Sequence, residues 1–256
     1  MTKSVLVTGG AHRLGALLCK TFAENGWMVW CHYQNSQAAA QALCKTLGES
    51  GYQAQAIGAN LSEDPELRQM MKEISDQSGP LTCLINNASS FEPDQGDSVL
   101  RDTLEQQLCV NLIAPLTLSS LMAEFSSQEP SVGVRSIVHV LDQKVLNLNP
   151  DYFSYTISKL ALERSVALQA QALAPDIRVN GVAPGLIFIS GPQSQVNFEK
   201  SSRTNLLKQP INPVKVAEAC IFLAENTAIT GMTLAVDNGQ HLVPVSRDVM
   251  FSSKDD

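Results

Sequence analysis

Short apolar segments alternate with amphipathic helical segments along almost the whole chain. This alternation predicts an α/β fold, a single-domain Rossmann-type doubly wound sheet of seven parallel strands flanked by helices, over residues 1–256. Ligands of such sheets bind beyond the carboxyl ends of the strands. The predicted strands are 5–7, 27–32, 53–58, 81–85, 136–141, 178–181 and 233–236, and the predicted helices are 16–25, 37–49, 65–77, 100–124, 155–174 and 214–225.

Composition excludes several classes of function. The net charge is −7 and no basic stripe occurs, so we expect no nucleic-acid partner. We find no run of about 18 apolar residues and no signal-peptide pattern, so we expect a cytoplasmic protein without a membrane span. The six cysteines are scattered without a C-x-x-C pair, and the four histidines lack metal-ligand spacing. These residues predict reduced thiols and no metal site.

A glycine-rich turn follows the first strand and opens the first helix. Its sequence is Thr8-Gly9-Gly10-Ala11-His12-Arg13-Leu14-Gly15. Glycines allow a phosphate to approach the backbone, and a helix N-terminus presents N–H groups and the positive end of the helix dipole. The turn therefore predicts a site for a dinucleotide pyrophosphate.

The residues after the second strand bear on the choice of cofactor. The run from Cys31 to Ser36 contains no acid, although an NAD site usually places Asp or Glu there for the ribose hydroxyls. Arg13 could reach the same region and bind the additional phosphate of NADP, or it could be a solvated loop residue. His32 is as well explained as an ordinary strand-end residue as by a ligand role. We expect NADP(H), with Asn35 and Ser36 as further contacts.

Tyr155 and Lys159 are four residues apart in a predicted helix, so they share one face. A nearby ammonium favours the phenolate and lowers the pKa of a tyrosine, which would allow proton exchange with a substrate near neutral pH. A solvent-facing pair would have the same spacing. Asn87, Asp142 and Pro184 each follow a predicted strand, as Gly9 does, so four distant segments should meet in one crevice.

In this order the motifs resemble those of the short-chain dehydrogenase/reductase family. They are the glycine turn, Asn86-Asn87-Ala88, Asn111, Tyr155-x-x-x-Lys159, Pro184-Gly185 and Asp237-x-Gly239. Three features are similar to the pteridine reductase branch, which includes bacterial dihydromonapterin reductases. Arg13 replaces the middle glycine of the turn, Asp142 replaces the usual active-site serine, and Ser89-Ser90-Phe91 follows the fourth strand. Asn60 stands where the family usually has an aspartate.

The resemblance implies an NADPH-dependent reductase of a dihydropterin such as dihydromonapterin, dihydrobiopterin or dihydrofolate. It implies catalytic roles for Tyr155, Lys159, Asp142 and Asn111, the last anchoring a water that leads to Lys159. It implies substrate contacts at Ser89, Phe91, Asp142 and Tyr155, with the Phe91 ring stacked on the pterin. The implied cofactor contacts are Gly9, His12, Arg13, Leu14, Gly15, His32, Asn35, Ser36, Asn60, Leu61, Asn87, Ala88, Ser89, Lys159, Pro184 and Gly185.

The same residues allow other interpretations. Asp142 has an alternative as a turn residue, and Phe91 has an alternative as a core residue. The chain could be a carbonyl reductase of the 3-oxoacyl type, or a regulator that binds NADP without catalysis. The family is often tetrameric, so we expect a homo-oligomer. Residues 186–210 are the expected substrate loop, and residues 240–256 form a tail of unassigned role.

Overall fold

The structure is a computed structural model, and it describes residues 3–126, 135–191 and 193–252. One parallel sheet of seven strands forms its centre, in the spatial order β3-β2-β1-β4-β5-β6-β7. The strands are β1 Ser4–Val7, β2 Met28–Tyr33, β3 Ala54–Gly58, β4 Cys83–Asn86, β5 Arg135–Val140, β6 Ile177–Pro184 and β7 Thr233–Val236. The order reverses between β1 and β4, which makes a topological switch point. The predicted doubly wound, seven-stranded parallel sheet is therefore confirmed.

The helices alternate with the strands as the sequence pattern predicted. They are α1 Arg13–Glu24, α2 Gln37–Glu49, α3 Asp64–Ser78, α4 Arg101–Leu108, α5 Ala114–Ser126, α6 Phe153–Leu173, α7 Gln195–Ser201, α8 Pro213–Glu225 and α9 Val249–Ser252. Two short helices were not predicted, α7 in the expected substrate loop and α9 in the tail. Neither is long enough to show a helical repeat of apolar residues.

Two boundaries differ from the predictions for identifiable reasons. Helix α1 begins at Arg13, three residues before the predicted start, because the glycine turn runs directly into the helix. Strand β6 continues to Pro184, beyond the predicted end at residue 181. A proline is tolerated at that position because it lies at the end of the strand, next to Val236 of β7.

Helices cover both faces of the sheet and form two hydrophobic cores. Successive strand residues point to opposite faces, so Val5 and Val7 of β1 contribute to one core and Leu6 contributes to the other. The first core contains buried residues of α1, α2 and α8, and the second contains buried residues of α3, α5 and α6. Strands β1 to β6 contribute side chains to both apolar layers, and the carboxyl ends of the parallel strands share one edge.

A long helical run from Arg101 to Ser126 crosses the second layer. It consists of α4, a π-helical segment at Cys109–Ile113 and α5. By length and composition alone this run could cross a membrane, because its most apolar window has a mean hydropathy of 1.5. From the sequence we predicted no such run. Its side chains Leu118 and Met122 are fully buried in the second core. Burial covers 39% of that window, so packing in the second core accounts for part of its apolar composition.

The six cysteines are free thiols, and five of them are buried. Contact with Cys19 and burial raise the pKa of the Cys31 thiol. Contact with Cys31 and burial likewise raise the pKa of Cys44. These thiols lie in the first core beneath the glycine turn, where they pack as small apolar side chains.

Candidate active site and cofactor cleft

One cavity of about 480 Å³ opens at the carboxyl edge of the sheet. Nine separate segments contribute to it: the glycine turn, the end of β2, the segments after β3, β4, β5 and β6, the π-helical segment, α6 and the tail. Of the predicted residues, it is lined by Gly9, His12, Arg13, Leu14, Gly15, His32, Leu61, Asn87, Ala88, Ser89, Phe91, Asp142, Tyr155, Lys159, Pro184 and Gly185. The structure therefore brings most of the predicted set into one cleft.

The glycine turn is folded tightly against the segment after β4. A Cβ atom on Gly15 would lie 2.0 Å from the Gly9 carbonyl oxygen and 2.9 Å from Asn87 Nδ2. Asn87 Nδ2 donates to the Thr8 carbonyl at 2.9 Å, and the Asn87 backbone N–H donates to Thr8 Oγ1 at 2.9 Å. Gly9 has a φ of +61°. The first turn of α1 consequently approaches the cavity without an intervening side chain at Gly15, as a bound phosphate requires.

The His32 side chain is hydrogen-bonded to the backbone of this turn. Its ring is almost completely buried, and burial lowers its pKa to about 4, so the ring is neutral at pH 7. Nδ1 accepts a hydrogen bond from the Gly9 N–H at 3.1 Å, so Nε2 carries the proton and donates to the Ala59 carbonyl at 3.0 Å. Because both ring nitrogens are engaged by backbone, His32 shapes the turn and offers a cofactor no hydrogen bond of its own. His32 nevertheless lines the cavity, and its contact with a cofactor stays a prediction.

Arg13 reaches the loop after β6. Its Nη2 donates to the Ile189 carbonyl at 2.7 Å, and its guanidinium lies 5.3 Å from the centre of the Phe188 ring. We expected this cation near the residues after β2. In the structure it joins the glycine turn to the expected substrate loop.

Three of the predicted adenosine-side contacts do not line the cavity. They are Asn35, Ser36 and Asn60, and Gln34 lines it in their place. The Asn60 side-chain oxygen accepts from Gln34 Nε2 at 3.0 Å and from the Ser62 N–H at 3.1 Å. This amide organises the turn after β3, and only its neighbour Leu61 reaches the cavity wall.

The Tyr155 hydroxyl meets Asp142 at the floor of the cavity. Tyr155 and Lys159 lie on one face of α6, and both are buried. The Tyr155 hydroxyl donates to Asp142 Oδ2 at 2.9 Å. Lys159 Nζ donates to the Val140 carbonyl at 2.8 Å and lies 5.7 Å from the centre of the Tyr155 ring. The two residues on α6 and the acid after β5 thus form one compact polar cluster.

The electrostatics of this cluster differ from the expectation for a tyrosine beside a lysine. Burial and the Asp142 carboxylate raise the pKa of Tyr155 well above 10, so the expected lowering is wrong for the protein without ligands. Burial also raises the pKa of Asp142 and lowers that of Lys159 to about 8. Burial is the larger cause for Tyr155, and the Asp142 carboxylate adds to it, since a carboxylate that accepts the hydroxyl proton disfavours the phenolate. The Tyr155 hydroxyl is therefore protonated at neutral pH and can donate its proton.

Phe91 forms an aromatic wall next to this cluster. One face of its ring is stacked on Tyr152, with centroids 4.1 Å apart and planes 18° apart. Its ring meets that of Tyr155 edge-on at 4.6 Å. Phe91 is partly buried and lines the cavity, so it combines packing with exposure to the cleft.

Asn111 holds the segment that carries Ser89 and Phe91. It is fully buried within the π-helical segment. Its Oδ1 accepts from the Ser90 N–H at 2.8 Å and from Ser89 Oγ at 3.1 Å, and its Nδ2 donates to the Ser90 carbonyl at 2.9 Å. Asn111 does not line the cavity, so its side chain positions the loop after β4 in this structure.

Comparison with known proteins identifies the family of the chain. Residues 9–241 match a family described as enoyl-(acyl carrier protein) reductase, which is a group of short-chain dehydrogenases/reductases. The match covers the glycine turn, the cluster around Tyr155 and the Asp237-x-Gly239 motif. The chain belongs to the short-chain dehydrogenase/reductase family.

Within this family of oxidoreductases, the chain is similar to dihydromonapterin reductases. It is 25% identical to the dihydromonapterin reductase of Enterobacter sp. (strain 638) over 240 residues, which are 94% of this chain and 97% of that protein. It is 25% identical over 238 residues to that of Escherichia coli O6:K15:H31 (strain 536 / UPEC), which are 93% of this chain and 96% of the relative. The crystal structure of FolM alternative dihydrofolate reductase 1 from Brucella canis, complexed with NADP, superimposes with a TM-score of 0.89 at 34% identity. That match covers 94% of each chain.

Several cavity residues of this short-chain dehydrogenase/reductase were not found from the sequence. They are Gln34, Val110, Val140, Leu141, Gln143, Lys144, Leu186, Ile187, Phe188, Ser190, Gln240, Asp248, Val249 and Met250. Proximity could have indicated Gln34 and Lys144, which lie two residues from His32 and Asp142. No sequence pattern pointed to the four tail residues, which reach the site only through the tertiary fold.

Proposed function

We propose that the chain is an NADPH-dependent pteridine reductase that reduces a dihydropterin to its tetrahydro form. The observation that carries this proposal is the hydrogen bond from Tyr155 to Asp142 beside the aromatic wall of Phe91. It supplies a proton donor and an acceptor in a cavity that continues to the glycine turn. The similarity to dihydromonapterin reductases and to a FolM dihydrofolate reductase complexed with NADP supports this substrate class and this cofactor.

The residues present fit a dinucleotide cofactor. Gly15 lines the cavity at the first turn of α1, where the absence of a side chain lets the helix N-terminus pack closely on the glycine turn. Gln34, Asn35 and Ser36 after β2 include no acid that would repel a 2′-phosphate. Ser36 is the N-cap of α2, and helix N-termini favour anions. Lys159 lies in the same cavity, where its ammonium would hold a nicotinamide ribose.

NADPH supplies a hydride when bound, and the protein supplies the proton and the geometry. The Tyr155 hydroxyl holds its proton on the phenolic oxygen because burial and Asp142 disfavour the phenolate. It can therefore deliver that proton to the nitrogen of a substrate C=N bond. Lys159, as an ammonium, would stabilise the phenolate that remains after transfer.

The cavity suits a flat heterocycle with several hydrogen-bond donors. The Phe91 ring offers an apolar stacking surface at the wall. The Asp142 carboxylate, when ionised, is an acceptor for the amino and ring N–H groups that a pterin presents. A simple ketone offers no such donors, so these two residues favour a pterin over a carbonyl substrate.

A homo-oligomer in the cytoplasm is part of the same proposal. Large apolar side chains are exposed along the edge strand β7 and the adjacent helix α8, including Met232, Leu234 and Phe222. An exposed sheet edge with apolar neighbours is a surface that another copy of the chain would cover. A tetramer remains the expectation for its size. The net charge of −7 favours a small-molecule substrate over a nucleic acid or an anionic membrane surface.

The decisive experiment measures NADPH oxidation by the purified full chain. The substrates are dihydromonapterin, dihydrobiopterin, dihydrofolate and a set of simple ketones. We expect turnover of pterins and little turnover of ketones. Tyr155→Phe should reduce pterin turnover by about 10²- to 10⁴-fold, the usual contribution of a general acid, while NADPH binding changes little.

Tyr52→Phe is the matched control, because Tyr52 is an exposed tyrosine outside the cavity. It should behave as the unmodified protein does. Turnover of ketones alone would assign the chain to the carbonyl reductases. Tight NADPH binding without turnover of any substrate would assign it to the non-catalytic regulators.

A further inference from the structure

The C-terminal segment of the chain forms part of the wall of the active-site cavity. Asp248, Val249 and Met250 line the same cavity as the catalytic cluster. Met250 packs in one buried group with Tyr152 and Tyr155. We call residues 247–251 the tail wall.

A buried ammonium holds the tail wall in place. Lys144 is 2% exposed, and its Nζ lies 3.0 Å from Asp248 Oδ2. The same Nζ donates to Asn149 Oδ1 at 2.6 Å and to the Asp151 carbonyl at 3.1 Å. An ammonium has three N–H donors, so these three acceptors satisfy it completely. Because all three donors are occupied, the Lys144 side chain fixes the tail wall and has no donor left for a substrate.

Asp151 provides a second attachment. Arg247 Nε donates to both oxygens of the Asp151 carboxylate, at 2.9 and 2.8 Å, and the Asp248 N–H donates to Asp151 Oδ2 at 2.7 Å. The Phe251 ring lies parallel to that of Tyr152 at 6.2 Å. The side chains and the backbone of the tail wall are thus attached to the segment that precedes α6.

Helix α7 holds the other side of the tail wall. Asn197 Nδ2 donates to the Met250 carbonyl at 3.0 Å, and Ser201 Oγ donates to the Val249 carbonyl at 3.1 Å. A segment fixed from two directions at the mouth of a cavity restricts what enters there. The tail wall lies at the end of the cavity that contains Tyr155 and Phe91, and not at the end that contains the glycine turn.

We propose that the tail wall determines substrate specificity, with Met250 limiting substrate size and Lys144 acting as the positioning residue that anchors it through Asp248. The identity of the substrates rests on the proposed pteridine reductase function, whereas the anchoring does not. Lys144 also donates its backbone N–H to Asp142 Oδ1 at 2.8 Å, so one residue connects the tail wall to the partner of the Tyr155 hydroxyl.

The anchoring is tested by hydrogen–deuterium exchange of the full chain, followed in a peptide that covers residues 243–252. Lys144→Met removes the ammonium at similar side-chain length, and Asp248→Asn removes the opposite charge with the same shape. Breaking a buried ion pair is strongly destabilising, so exchange in this peptide should accelerate by at least about tenfold in either variant. Peptides from the sheet should keep their exchange rates.

Lys72→Met is the matched control for the charge change. Lys72 pairs with Asp76 on the exposed face of α3, and its side chain is 56% exposed. This variant should leave the 243–252 peptide at the rate of the unmodified protein. Unchanged exchange of that peptide in both Lys144→Met and Asp248→Asn would overturn the anchor.

The specificity is tested by comparing two substrates of different size. The ratio of kcat/KM for dihydrofolate to that for dihydromonapterin should rise about three- to tenfold in Met250→Ala, because removing a side chain from a pocket wall favours the larger substrate. NADPH affinity should change less than twofold. Leu100→Ala is the control, because Leu100 is an exposed apolar side chain outside the cavity.

The possible results separate the two proposals. An unchanged ratio in Met250→Ala would overturn the role of Met250 in specificity. If the unmodified protein reduces no pterin, the proposed function fails, and the exchange experiment still decides whether Lys144 anchors the tail wall.

Discussion

At the scale of single residues, Asp142 changes the chemistry of its neighbours. It accepts the Tyr155 hydroxyl and holds that proton in place. It also raises the pKa of the Lys159 ammonium, although burial lowers the pKa more and leaves it at about 8. A tyrosine kept protonated beside an ammonium that titrates near neutral pH is suited to reduction, which consumes a proton.

A pH profile tests this arrangement. If the Lys159 ammonium is required, kcat/KM should decrease as pH rises through about 8, because the group loses its proton there. Asp142→Asn removes the carboxylate that favours the ammonium, so the alkaline limb should move to lower pH in this variant. Steady-state rates across pH, with stability checked at each pH, give the measurement. An alkaline limb that stays in place or moves to higher pH in Asp142→Asn would contradict this coupling.

At the scale of elements, the glycine turn and the π-helical segment position the site. The turn is fastened to the segment after β4 by Thr8 and Asn87, and the π-helical segment places Asn111 against Ser89 and Ser90. Irregular turns inside helices are frequent at functional sites. The glycine turn and the π-helical segment both form hydrogen bonds with the loop after β4, so this loop is held from two sides.

Gly15→Ala tests the close approach of α1 to the turn. The added Cβ would lie 2.0 Å from the Gly9 carbonyl oxygen, so the turn must shift. Overpacking of this kind costs about 1–3 kcal/mol, and we expect NADPH affinity, measured by fluorescence titration, to fall by about tenfold or more.

Gly48→Ala is the matched control for this substitution. Gly48 lies near the end of α2, and a Cβ there would meet no atom within 4 Å. It should leave NADPH affinity unchanged and stabilise the fold by about 0.5–1 kcal/mol. Equal NADPH affinity in the two variants would contradict the proposed steric role of Gly15.

At the scale of the whole molecule, two neutral histidines are built into the sheet. His32 on β2 and His139 on β5 are buried, and burial lowers the pKa of each from 6.5 to about 4. His139 contacts Asn86 Nδ2 at 3.1 Å and Gln169 Oε1 at 2.8 Å. Nδ1 of each ring lies beside an N–H group, of Gly9 or of the Asn86 side chain, and can accept from it only while the ring is neutral.

These histidines predict a loss of stability in mild acid. Between pH 6.5 and 4 the unfolded chain binds protons that the folded chain does not, so stability is full above pH 6.5 and falls as pH decreases through this window. Each histidine should contribute a loss of about 2 kcal/mol between pH 7.5 and 5. Urea unfolding at both pH values measures it, and His139→Gln should reduce the difference by that amount.

The exposed His12→Gln is the control and should retain the pH dependence of the unmodified protein. The same loss between pH 7.5 and 5 in His139→Gln as in the unmodified protein would show that His139 is not responsible.

The sequence alone determined the sheet, its order of helices and strands, and the group formed by Gly9, Asn87, Asp142 and Pro184. These are properties of local periodicity and of the rule that strand ends share one edge of a parallel sheet. The sequence showed that Asp142 follows the fifth strand in place of the usual serine. It did not show that Asp142 raises the pKa of Tyr155. That effect depends on burial and on the distance between two side chains, which only packing fixes.

Only the tertiary structure decided the outer parts of the site. It directed Arg13 to the loop after β6, engaged both nitrogens of His32, and left Asn35 and Ser36 outside the cavity. It also brought the tail wall to Tyr155, more than 90 residues away in the chain, through the buried contact of Lys144 with Asp248. Such contacts arise from side chains that meet across distant segments, and they have no periodicity that a sequence could display.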